Sequence, residues 1–153
     1  MSTARPFTHS DPGPQPDVRR LSLAGAPGPV VRARDFARES LQDWGWIPPR
    51  DEEGRASTED VLLVVSELVT NACLHGGGPQ TMSLTRGTDL VRIEVTDLGD
   101  GMPAPRTGRV PGRPGGHGMF IVERLSVDWG ILRDGTLPGK TVWAEMAVPK
   151  SLD

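Results

Sequence analysis

The strongest constraint on this chain is one long apolar helix with a polar row built into it. Residues 61–78 read VLLVVSELVTNACLHGGG, and the run closes on three glycines. Glu67, Asn71 and His75 interrupt it at a spacing of four. At roughly 100° per residue, four steps return to within about 40° of the start, so the three form one slanted row. Val61, Val64, Val65, Leu68, Val69 and Ala72 fill the arc beside that row. A carboxylate, an amide and an imidazole at the edge of a buried face cost free energy unless they have partners or a task.

At 153 residues the chain is long enough for one domain with a real core. Its formal charge is -3, which gives no footprint for nucleic acid or for an anionic membrane surface. The one cysteine, Cys73, excludes an internal disulfide framework, fits a reducing compartment and is expected in the core. No apolar run approaches the ~20 residues of a membrane span. The first thirty residues lack the apolar centre of a signal peptide. A soluble cytoplasmic protein is therefore expected. Basic residues are almost all arginine, with Lys140 and Lys150 the only lysines.

Taken in order, residues 1–17 are proline-rich and polar, and a disordered tail is expected. The domain is expected over 18–150. Residues 18–23 (VRRLSL) suit a strand, and a Gly/Pro break follows. Apolar residues at 30, 33, 37, 41 and 44 predict a helix. Residues 45–56 read as a loop, with Ser57 or Thr58 as N-cap of the long helix. Strands are predicted over 81–85 and 90–96, joined through Gly87-Thr88-Asp89. Residues 102–115 (MPAPRTGRVPGRPG) have no periodicity and form a long lid-like loop. A short helix over 119–126, a strand over 127–132 and a closing strand over 141–148 complete the chain. Hairpin-paired strands with grouped helices favour an α/β arrangement of the α+β two-layer kind. It has a mixed, mostly antiparallel sheet and helices on one face.

Several phosphate-loop patterns fail. Residues 134–141 (DGTLPGKT) approach a Walker A loop, but Asp134 stands where the first glycine belongs and a strand follows where a helix is needed. Gly115-Gly116-His117-Gly118 is not a dinucleotide fingerprint, and no βαβ unit surrounds it. The histidines lack zinc-ligand spacing, and no nucleophile elbow occurs.

Three segments remain. Asp97-x-Gly99-x-Gly101 at a strand end is either a plain turn or an acceptor for the amino group of a flat base. Gly115-Gly116-His117-Gly118 at a helix start is either a hinge or an anion site made of free N–H groups. Glu67 and Asn71 are the third. In this order and spacing they resemble the Bergerat-fold ATP-binding domain of gyrase B, Hsp90, sensor histidine kinases and MutL (the GHKL superfamily). Glu67-Leu-Val-Thr-Asn71-Ala72 is similar to its N box. Asp97-Leu-Gly99-Asp-Gly101 is similar to its first glycine box, and Gly115-Gly116-His117-Gly118-Met119 to its second. Thr141, after Gly139-Lys140, matches the family's threonine on the adenine side. Within the family, VVSELVTNACLHG and the closing TVWAEM resemble the single-domain anti-sigma-factor serine kinases common in actinomycetes.

That resemblance implies a set of roles. ATP and Mg²⁺ are the implied cofactors. Asn71 would ligate Mg²⁺ through its amide oxygen, and Glu67 would be the catalytic general base. Asp97 would take the adenine amino group, with Gly99 and Gly101 allowing close approach. Gly116, His117, Gly118 and Met119 would present backbone to the phosphates, and Thr141 would complete the adenine side. Residues 102–115 would close over ATP, with Arg106, Arg109 and Arg113 near the γ-phosphate. His75 is a supporting residue at most, and the four tryptophans are expected to pack rather than stack on ligand. The implied activity is phosphorylation of a serine or threonine on a STAS-type anti-sigma factor antagonist. A sigma factor is the second implied partner, and a homodimer the implied state. A non-catalytic binding module of the same fold is the alternative.

Overall fold

The computed structural model describes residues 17–75, 77–99, 117–133 and 139–152. Strand β1 (Asp17–Ser22) leads into helix α1 (Pro29–Asp43) and helix α2 (Glu52–His75). The hairpin of β2 (Pro79–Arg86) and β3 (Leu90–Asp97) follows. Helix α3 (His117–Leu125), β4 (Asp128–Leu132), β5 (Lys140–Ala147) and one 3₁₀ turn (Lys150–Leu152) complete the order. The five strands form one sheet in the order β1-β2-β3-β5-β4. Every pairing is antiparallel, so the sheet is more regular than the mixed one expected.

Alternation along the strands decides which face the helices cover. Met82 and Leu84 of β2, Val91, Ile93 and Val95 of β3, and Val142, Ala144 and Met146 of β5 are all buried. Their neighbours in sequence are half-buried or exposed. Such period-2 burial is what a sheet with helices on one face requires. Burying each of the larger side chains stabilises the fold by roughly 1.5–3 kcal/mol.

Helix α2 is the spine of the helical layer. Its apolar arc, including Val61, Val64, Val65, Leu68, Val69 and Ala72, is buried, and it touches α1, α3, β2, β3, β5 and the final turn. Ala33, Ala37 and Leu41 line the face of α1 that is lost from solvent. Pro29 sits in the first turn of α1, where its missing N–H costs nothing.

Helix α2 begins earlier than the sequence suggests. The true cap is Asp51, whose Oδ1 accepts the Gly54 N–H at 2.8 Å. Glu52 and Glu53 then occupy the dipole-favoured first turn. Thr58, expected near the cap, is instead a buried residue within the helix.

Candidate functional site

The polar row of α2 runs from the surface into the domain and out again. Glu67 is half-buried, Asn71 is buried at 5 % exposure, and His75 is exposed at the helix end. Asn71 therefore holds its amide on the inward face, among valines and leucines. The rotation of α2 is fixed one residue before Glu67. Arg34 of α1 donates to Ser66 Oγ at 2.7 Å and to the Leu62 carbonyl at 3.2 Å, while Ser66 Oγ donates to that same carbonyl. This clip ties α2 to α1 beside Glu67.

Beside α2, helix α3 starts at His117 and buries Met119 and Val122 completely. Met119 thus anchors the start of α3 against the core. The free N–H groups of that first turn belong to residues 117–119, the end of the second glycine segment.

The ends of β3 and β5 make the floor. Asp97 pairs with Lys140 across the two strands, on the helix-covered face. The Asp97 Oδ1 accepts the Gly99 N–H at 2.8 Å, which closes a tight turn directly after the strand. It also accepts from Lys140 Nζ at 3.1 Å. Both side chains are shut from solvent, at 1 % and 2 % exposure. Gly139 makes this closeness possible. Its φ is +99°, and a Cβ there would stand 2.2 Å from the Asp97 carbonyl oxygen, so only glycine fits.

Thr141 follows Lys140 on β5. It belongs to the opposite register and meets Thr96, with their Oγ1 atoms 3.0 Å apart. Strand alternation sends its side chain to the face away from Asp97. The side chain that reaches Asp97 is Lys140, a residue the sequence analysis passed over. The signal was there: counting back by twos from Met146, Ala144 and Val142 lands on Lys140, in a buried register.

Cys73 also differs from expectation, being exposed. It lines a hollow of about 370 Å³ with Leu23, Gly25, Ala26 and Pro29, away from the row of α2. Partial burial of its sulfur pushes the thiol pKa up. Trp44 and Trp46 are buried, and Trp129 and Trp143 are half-buried against neighbouring strands, as packing residues. Gly101, Gly116 and the expected lid, with Arg106, Arg109 and Arg113, lie outside the described residues.

The elements that gather here are the long helix with its inward amide, a helix start, and a strand-end carboxylate followed by glycine. Residues 23–146 match the family described as the histidine kinase-like ATPase domain. The chain belongs to that family. It is an α+β ATP-binding module of GHKL type, and the match spans every element from the end of β1 to β5. No curated protein matches the chain. Among the described residues no helix is long and apolar enough to cross a membrane.

The residues fit the group that this family holds. Asp97 offers a carboxylate at the strand end, and Asn71 an amide oxygen on the inward face of α2. Among the described residues no cluster of three acidic, His or Cys side chains stands ready for a metal. Mg²⁺ is commonly held by one or two protein oxygens together with phosphates and water, and the Asn71 amide oxygen is of that kind.

Proposed function

We propose that this chain is an ATP-dependent protein serine/threonine kinase of the anti-sigma-factor type. The observation that carries the proposal is the placement of Glu67. It stands one turn from the inward Asn71, in a stripe with Leu63, Thr70 and Leu74. Leu63 is 37 % exposed and Leu74 is 54 % exposed. A carboxylate bracketed by exposed leucines suits a base that meets a hydroxyl delivered by a docked protein.

Bound ATP would supply the γ-phosphoryl group and leave as ADP, and Mg²⁺ would offset the phosphate charge. Asn71 would hold the metal, and Asp97 the base of the nucleotide. The backbone at the start of α3, residues 117–119, would face the phosphates. Glu67 takes the proton of the incoming seryl or threonyl hydroxyl. The Arg34–Ser66 clip would hold α2 to α1 beside Glu67 while the hydroxyl approaches. The substrate is a STAS-type anti-sigma factor antagonist, with a sigma factor as the second partner, in the cytoplasm and as a homodimer.

The test is phosphotransfer from Mg-ATP to purified STAS-type antagonists, read by mass spectrometry. Transfer to a serine or threonine is expected. Glu67→Ala should lower the rate by about 10²-fold or more while ATP still binds. If ATP binds and no antagonist is phosphorylated, the non-catalytic binding module replaces the kinase.

A further inference from the structure

Lys140 and Asp97 form the one fully buried ion pair among the described residues, and its described hydrogen bonds converge on one carboxylate oxygen. Both hydrogen bonds to the Asp97 carboxylate, from Gly99 N–H and from Lys140, fall on Oδ1. Among the described residues, none falls on Oδ2. The Lys140 ammonium has three N–H donors and spends one of them on Asp97 among the described residues. The buried pair therefore sets the second acceptor oxygen of Asp97 beside the ammonium donors of Lys140.

We infer that Lys140 reads the nucleotide base together with Asp97, as a specificity-determining residue. The inference rests on the adenine-nucleotide reading above. Asp97 Oδ2 accepts from the amino group of a 6-aminopurine while Lys140 stays on Oδ1. A second Lys140 N–H donates to one of the two ring nitrogens that flank the amino group, N1 on its Watson–Crick side or N7 on its Hoogsteen side. A donor beside an acceptor on the base thus meets an acceptor beside a donor on the protein. A 6-oxopurine turns an oxygen toward Oδ2, acceptor against acceptor, and is rejected. Gly139 is required for the same reason, because its backbone lies against Asp97 and sets the start of β5 where Lys140 can reach.

The test uses ADP, 1-deaza-ADP and 7-deaza-ADP, which keep the amino group and each lose one ring nitrogen. Calorimetry on the full chain should show one of the two analogues binding at least about tenfold more weakly than ADP. In Lys140→Met that gap should shrink to within about twofold, provided the variant unfolds cooperatively. A second readout needs no variant, because Lys140 and Lys150 are the only lysines. With side-chain ¹⁵N-lysine labelling, ADP should move the Lys140 Nζ resonance and leave Lys150 in place. The weaker deaza analogue should not reproduce that movement. Two deaza analogues binding like ADP, or a Lys140 resonance unmoved by bound ADP, overturn the role of Lys140 alone. No binding of ADP overturns the adenine-nucleotide reading and the role of Lys140 with it.

Discussion

Strands β3 and β5 carry two cation–carboxylate clusters on opposite faces of the same ladder. On the helix-covered face, Lys140 meets Asp97 at 3.1 Å with both side chains enclosed. On the other face, Arg92 meets Glu145 at 2.9 Å and Glu94 at 2.7 Å, with side chains 26–34 % exposed. The second cluster explains itself. Arg92 lies 4.2 Å over the Trp143 ring, and that ring packs onto Gly130 of β4, where a Cβ would come within 2.8 Å of it. Burial works to lower the Arg92 pKa, and the hydrogen bonds to Glu94 and Glu145 outweigh it, so the guanidinium is raised. Two carboxylates and the face of an aromatic ring surround this partly exposed cation.

Among the described residues the enclosed pair has, beyond its own bond, only the Gly99 N–H on Asp97 Oδ1. Removing two charges from water costs several kcal/mol per ion, and a single bond between them seldom recovers that. Apolar residues at 97 and 140 would extend the inner face of Val95 and Val142 without this cost. The difference teaches that the outer cluster is accounted for by its own contacts, whereas the enclosed pair is the one for which the proposed nucleotide site supplies a reason.

Substitutions can break or sharpen this contrast. The largest effect is expected from Lys140→Ala. It leaves the Asp97 carboxylate buried alone and should destabilise the chain by about 3–5 kcal/mol, read by urea unfolding. Raising the salt concentration should not erase that loss, because the site excludes solvent ions. A smaller effect is expected from Arg92→Ala. Its carboxylate partners remain hydrated, so the loss should be about 1 kcal/mol or less and should shrink further in salt. Equal costs for the two substitutions would remove the distinction between the faces.

The sequence made some of this legible and hid the rest for physical reasons. The apolar arc of α2 and the alternation of β3 and β5 were readable because burial imposes a period of 3.6 or 2. The start of α2 was hidden by Gly54, which looks like a loop residue but has its N–H held by Asp51 Oδ1 inside a capped first turn. Cys73 looked like core because free cysteine is among the most buried residue types. At roughly 100° per residue it falls past the edge of the buried arc. Asp97 could be chosen from its place before Gly99, while the meeting of Lys140 with Asp97 depended on strand register. Register is set by pairing between β3 and β5, residues more than forty positions apart, and a one-residue shift reverses which side chain faces the site.

The most direct test of the central claim is equilibrium binding of ATP to the wild-type chain and to Asn71→Ala, with Mg²⁺ and with chelator. One ATP should bind per wild-type chain, more tightly with Mg²⁺ than without. Folded Asn71→Ala should lose that dependence on the metal. No binding of ATP at millimolar concentration, or a metal dependence untouched by the loss of the Asn71 amide, would contradict the site described.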